Sequence, residues 1–122
     1  MKVAITAKGN TLESEVDSRF GRCSHFLIVD TDTMEFESIS NESAMASGGA
    51  GIQAAQTVAK SGVKAVVTGN MGPNAFQTLS VAGIKVFIGA DGTIKESIEK
   101  YNKGELEETE APNVGSHSGM GR

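Results

Sequence analysis

The sequence predicts an α/β fold in which a mixed five-stranded sheet carries three helices. Three observations lead there. Short apolar runs at 2–7, 26–29, 64–68 and 85–88 have the length and continuity of buried strands. Between them, from residue 47 onward, apolar positions recur at helical spacing and the segments end in glycine. Finally, Gly62-Val-Lys-Ala-Val-Val-Thr-Gly69 is echoed 21 residues later by Gly83-Ile-Lys-Val-Phe-Ile-Gly89. Both are helix-stop, strand, glycine-turn units, as successive right-handed crossovers onto a parallel sheet would produce.

The first run, 2–7, is apolar on both faces and suits a central strand. Residues 8–24 turn polar and make a long loop. The second strand is Phe26-Leu-Ile-Val29, followed by turn residues at 30–33 and a third strand at 34–39. Glu35 and Glu37 share one face of that third strand, as expected of a solvated edge. These three strands are close in sequence and read as an antiparallel meander. Ser47-Gly-Gly-Ala-Gly51 then opens a helix with Ile52, Ala55, Val58 and Ala59 on its apolar face, and Gly62 closes it as a left-handed cap. After the strand at 64–68, Gly69-Asn-Met-Gly-Pro73 starts a second helix with a proline in its first turn and Ala75, Phe76 and Leu79 inward. The strand at 85–88 is the fifth. Thr93-Ile-Lys-Glu96 matches a capping box at the head of a third helix, striped by Ile94, Ile98 and Tyr101 and ended by Gly104. Residues 105–122 are acidic, then rich in Gly and Ser, and predict a disordered tail after a single domain at 1–104.

The order βββαβαβα is that of the ribonuclease H-like three-layer architecture, with strand order 3-2-1-4-5 and strand 2 antiparallel. Strands 1, 3, 4 and 5 then end at one edge, whose loops are 8–24, 41–51, 69–73 and 89–93. Glycine makes up 15 of the 122 residues, about 12% against a usual 7%. Nine of them fall in those four loops: Gly9, Gly21, Gly48, Gly49, Gly51, Gly69, Gly72, Gly89 and Gly92. Ligands of open α/β sheets bind beyond the carboxyl ends of the parallel strands, so the glycine excess sits where a ligand would.

Composition excludes several classes. The glycines lack a period of three, which removes collagen, and the lone Cys23 removes a disulfide framework. A net charge of −4 argues against a general nucleic-acid binder. No apolar run is long enough to span a bilayer, and the first run begins at Lys2 with no leader before it, so a cytoplasmic protein is expected. A two-metal nuclease needs converging carboxylates. The expected first strand has none, the first helix offers Gln53, Gln56 and Lys60, and the fourth strand ends in Thr68, Gly69 and Asn70.

Gly49-Ala-Gly-Ile-Gln-Ala54 formally matches a dinucleotide fingerprint, but no acidic residue follows at 64–70 to hold a ribose. What survives is a glycine turn at a helix N-terminus, which suits an anion, or which simply makes the turn. Cys23 and His25 lie in Asp17-Ser-Arg-Phe-Gly-Arg-Cys-Ser-His25 beside Arg19 and Arg22. A thiolate near two guanidiniums would have a lowered pKa and could ligate metal. Strand alternation would point Cys23 and His25 to the same side. Two ligands are too few for a zinc site, and a packed Cys with solvated arginines fits the same pattern. His117 lies in the Gly/Ser-rich tail, and no nucleophile elbow accompanies either histidine.

The motifs Ser18-Arg-Phe-Gly-Arg22, Phe26-Leu-Ile-Val-Asp30, Gly49-Ala-Gly-Ile-Gln-Ala-Ala55, Gly69-Asn-Met-Gly-Pro-Asn-Ala-Phe76 and Ala82-Gly-Ile-Lys-Val-Phe87 together resemble the dinitrogenase iron–molybdenum cofactor biosynthesis family. That family includes NifX, the NafY core and the C-terminal domain of NifB. The resemblance covers about residues 1–103 and implies the ribonuclease H-like fold. It also implies non-enzymatic, non-covalent carriage of an iron–sulfur cluster or iron–molybdenum-type cofactor, or a precursor, for a cofactor-biosynthesis or recipient protein. Cofactor-carrying members often have His just before the Phe-Gly, where this chain has Arg19. A ligand role would then pass to Cys23 or His25. The expected cofactor site comprises Arg19, Arg22, Cys23, His25, Gly48, Gly49, Gly51, Asn70 and Gly72, with Cys23 and His25 as metal ligands. The rival expectation is a binding module for a small anion or a protein partner, without metal.

Overall fold

A computed structural model describes residues 1–42 and 49–112. Nine regular elements follow in order: β1 (Lys2–Ala7), β2 (His25–Asp30), β3 (Phe36–Ser40), α1 (Ala50–Lys60), β4 (Ala65–Val67), α2 (Pro73–Val81), β5 (Lys85–Ile88), α3 (Ile94–Asn102) and β6 (Glu107–Thr109). They build one mixed sheet in the order β3-β2-β1-β4-β5-β6. β2 runs antiparallel to β1 and β3, whereas β1, β4 and β5 are mutually parallel.

The expected meander, the parallel half and all three helices are present. The sheet has six strands where five were expected. Glu107–Thr109, in the stretch expected to be a structureless tail, pairs antiparallel with β5 (Val86 with Thr109, Ile88 with Glu107). Its side chains are polar and mostly exposed, so its strand character comes from backbone pairing rather than from an apolar pattern. Gly48 and His117 lie outside the described residues, as does the rest of the expected tail from 113 onward.

Alternation along the strands sends apolar side chains to two cores. Ala4, Phe26, Ile28, Val66 and Val86 face α1 and α2, where Ala54, Ala55, Val58 and Leu79 meet them. Val3, Ile5, Leu27, Val29 and Val67 face the other way, onto Ile94 and Ile98 of α3. The inward face of α1 is Ala50, Ala54, Ala55 and Val58, and the expected Ile52 is exposed instead. Small residues set that rotation, because they let α1 approach α2 and the turn preceding β2. Edge strand β3 is exposed along most of its length, as its glutamates predict. Among the described residues no helix is long and apolar enough to cross a membrane.

The capping box at the head of α3 forms in full. Thr93 Oγ1 accepts from Glu96 N (3.1 Å) while Glu96 Oε1 accepts from Thr93 N (2.9 Å). Replacing Thr93 by Ala should lower unfolding free energy by about 1 kcal/mol. Urea titration followed by circular dichroism checks this, and an unchanged midpoint would contradict the role of the cap.

Candidate functional site

The parallel strands β1, β4 and β5 end at one edge of the sheet, where β2 also begins and β3 ends. The polar segment 17–23 is fastened across that edge. Thr6 and Thr68 are fully buried at the ends of adjacent strands, on the α1/α2 side. Thr6 Oγ1 donates to Asp17 O (2.6 Å), and Asp17 N donates to Thr6 O (3.0 Å). Thr6 has one hydroxyl proton, so Thr68 must be the donor in the 2.9 Å contact between the two hydroxyls.

Backbone then lies on backbone. Asn70 N donates to Ser18 O (2.9 Å), and a Cβ added at Gly69 would fall 2.8 Å from Ser18 Cα. Residues Phe20–Arg22 form a single 3-10 turn whose Phe20 is buried against Phe26, ring centroids 5.4 Å apart. A Cβ at Gly21 would meet Gly51 Cα and N at 3.1 Å, so the turn presses on the first turn of α1. At Gly69 only glycine allows the approach, and at Gly21 a side chain would force the neighbouring backbone to give by a few tenths of an ångström.

The three helices begin differently. In α3 every early N–H is paired: Ile94 N donates to Ser14 O and Lys95 N to Leu12 O, beside the capping box. In α1 the N-cap is Gly49 (φ +73°) and in α2 it is Gly72, followed by Pro73. Neither has a side-chain cap or an acidic residue in its first turn. Gln53 N and Phe76 N make the first intrahelical bonds, so the N–H groups of Ala50, Gly51, Ile52, Asn74 and Ala75 have no hydrogen-bond partner among the described residues. Two positive dipole ends therefore lie at the same edge.

Arg19 and Arg22 are both exposed on this edge. The Arg19 guanidinium is held by the Asp17 carboxylate, Nε to Oδ1 at 3.3 Å and Nη2 to Oδ2 at 3.4 Å. Gly49, Gly51, Asn70 and Gly72 lie around the same edge, where Arg19 and Asn70 form a parallel bridge.

Cys23 departs from expectation in two ways. It is fully buried in the core beneath α1 and α2, with Sγ donating to Phe20 O (3.3 Å). Burial, with the nearby Asp17 charge second, pushes its thiol up to about 12, the reverse of the expected lowering. The 3-10 turn directs the neighbouring arginines outward while the thiol faces in. Cys23 and His25 also do not share a side. Cys23 precedes β2 and joins the α1/α2 core, whereas His25 lies in register with Leu27 and Val29 on the α3 face. Ser24 Oγ donates to Ala7 O (3.2 Å), so in the 3.0 Å contact between His25 Nδ1 and Ser24 Oγ the imidazole is the donor.

Four residues that organise the site were not singled out as site residues by the sequence: Thr6, Asp17, Asn41 and Thr68. Asn41, nearly buried, donates from Nδ2 to Cys23 O (2.8 Å) and Gly21 O (3.3 Å). Threonine at the matching ends of two apolar strands was the one available signal. Among the described residues no group of three or more His, Cys, Asp or Glu side chains converges as a metal site. A shallow cavity of about 420 Å³, lined by Ile39, Ser40, Glu42, Gln53 and Thr57, lies between the end of β3 and α1.

The family model described as dinitrogenase iron-molybdenum cofactor matches residues 1–104. The orange protein from Desulfovibrio gigas, in its apo form, is 42% identical, with a TM-score of 0.89 over 92% of this chain and 95% of that one. A Thermotoga protein of the DUF35 family is 39% identical, with a TM-score of 0.77 over 88% and 91%. A Methanocaldococcus jannaschii protein, 22% identical with a TM-score of 0.66 over 92% and 97%, shares the fold. No curated protein sequence matches the chain.

The raised thiol pKa has a signed consequence. Below the unfolded value of 9.0 both states keep the proton, and the stabilisation is complete. Between there and about 12 the unfolded chain loses its proton first, so stability falls as pH rises. The difference in unfolding free energy between wild type and Cys23→Ala should be flat up to pH 9, then shrink by at most roughly 1.4 kcal/mol per pH unit. Urea titrations across this range check it, and a difference that stays flat would contradict the burial.

Proposed function

The chain belongs to the dinitrogenase iron-molybdenum cofactor family, and from that premise we propose that it binds and carries an anionic iron–sulfur-type metallocofactor, or a precursor, for cofactor biosynthesis. The observation that carries this reading is the pair of glycine-capped helix N-termini, α1 and α2, opening beside Arg19 and Arg22. Backbone N–H groups, dipole ends and guanidiniums are the donors that suit the sulfide and oxygen acceptors of a negatively charged cluster. The similar orange protein is described in an apo form, which accords with this reading.

The groups gathered here are donors and fixed charges, which hold an anion rather than move a proton. Carriage without turnover is therefore the reading, on a scaffold we take to be ribonuclease H-like with a sixth edge strand. His25 faces the α3 side of the sheet rather than the heads of α1 and α2, and contributes no ligand to cargo held there. Cys23, buried and donating to Phe20 O, acts as packing beneath the turn rather than as a thiolate ligand.

Anaerobic reconstitution with ferrous iron and sulfide, followed by gel filtration and analysis of retained iron, tests this. Wild type should retain iron, less of it as salt rises, because exposed charges are screened. The double variant Arg19→Gln/Arg22→Gln should bind about tenfold more weakly, since two exposed charge contacts at about 0.7 kcal/mol each make the roughly 1.4 kcal/mol of a tenfold change. Cys23→Ala should stay within about twofold. Wild type that retains no iron, or retention unaffected by the arginine changes, would overturn the proposal.

A further inference from the structure

Asp17 is a nearly buried carboxylate beside the exposed Arg19, with side-chain exposures of 6% and 65%. Its Oδ1 accepts from Arg19 N (2.9 Å) and Arg19 Nε (3.3 Å), and its Oδ2 from Arg19 Nη2 (3.4 Å). One carboxylate thus fixes both the backbone and the guanidinium of the same residue, in the forked geometry that gives arginine its directionality. The backbone that carries the carboxylate is itself anchored. Asp17 exchanges backbone and hydroxyl bonds with Thr6, which Thr68 backs at 2.9 Å, so the chain of bonds runs from the ends of β1 and β4 to the guanidinium.

An exposed arginine ordinarily samples many rotamers, and ordering it on binding costs conformational entropy. Here that ordering precedes binding. Arg19 has five N–H donors, and the carboxylate takes one from Nε and one from Nη2, leaving the others for a ligand.

We propose that Asp17 is a positioning residue of the carrier site, holding the Arg19 guanidinium in place so that its remaining donors meet the anionic face of the cargo. The inference rests on the carrier reading above and adds a residue that touches no cargo. It predicts coupling: Asp17 matters only through Arg19, whereas a merely structural carboxylate would matter whatever stood at 19.

The test is a double-mutant cycle on the full chain, with the cluster assembled anaerobically from ferrous iron and sulfide as the probe. Asp17→Asn should weaken cluster retention about fivefold when Arg19 is present, and by less than about 1.5-fold in the Arg19→Gln background. Equal losses in both backgrounds would overturn the positioning role. A second measurement needs no cargo. The Arg19 Nε–H resonance of the ¹⁵N-labelled wild-type protein should be observable and slow to exchange, and should be lost in Asp17→Asn while the backbone amide spectrum is kept. An Arg19 signal unchanged in Asp17→Asn would overturn positioning alone. Should Asp17→Asn fail to fold, Asp17→Glu serves in its place, with a displaced Nε–H signal expected and an unchanged one contradicting. Wild type that retains no iron, with the Arg19 signal behaving as expected, would overturn the carrier reading and leave the guanidinium anchored for no cargo.

Discussion

The site depends on one close contact, the polar segment 17–23 lying backbone-on-backbone against the exit of β4 and the first turn of α1. Glycine at 69 makes the approach sterically possible, since a Cβ there would run into Ser18, and glycine at 21 eases the close fit against Gly51. Thr6 and Thr68 make it favourable by turning two buried hydroxyls toward Asp17 and each other. A buried hydroxyl without a partner would cost about 1–3 kcal/mol, so the strand ends tolerate threonine only because the segment above accepts the bond. Were the segment lifted by one residue width, Phe20 would leave the core and the arginines would no longer adjoin the open ends of α1 and α2.

That arrangement explains why the three helices begin so differently. α3 spends its first-turn donors on Thr93, Glu96, Ser14 and Leu12, and packs as structural support for the opposite face of the sheet. α1 and α2 begin at glycines that bring no cap of their own. The chain is acidic overall, with a net charge of −4, and Arg19 and Arg22 stand exposed at the turn beside the heads of α1 and α2.

Much of the fold was legible in the sequence, because buried strands and helices write themselves as runs and periods. Leu27, Val29, Val66 and Leu79 are where those patterns put them, and the capping box at Thr93 and Glu96 forms as spaced. β6 was not legible, since Glu107 and Glu108 carry no apolar signal and the strand exists through pairing with β5. Ile52 misled because helical spacing cannot tell which of two overlapping stripes will face the core. Cys23 misled for a related reason. Adjacency to two arginines in sequence suggested an electropositive thiol, but a 3-10 turn separates neighbours, sending Arg22 to solvent and Cys23 beneath it. The concentration of glycine at one edge was legible; that Asp17 and two threonines would fasten it was not, because polar residues in loops look alike until their partners are known.

The central claim is that cargo is held at the edge formed by the 3-10 turn and the heads of α1 and α2. Its most direct measurement is the amide ¹H–¹⁵N spectrum of the chain before and after anaerobic reconstitution with iron and sulfide, read residue by residue. Paramagnetic broadening should centre on Arg19 to Arg22, Ala50 to Ile52 and Asn74 to Ala75, and should spare the head of α3. Broadening centred on α3 and β6, or on the cavity beside Ile39 and Thr57, would contradict the account.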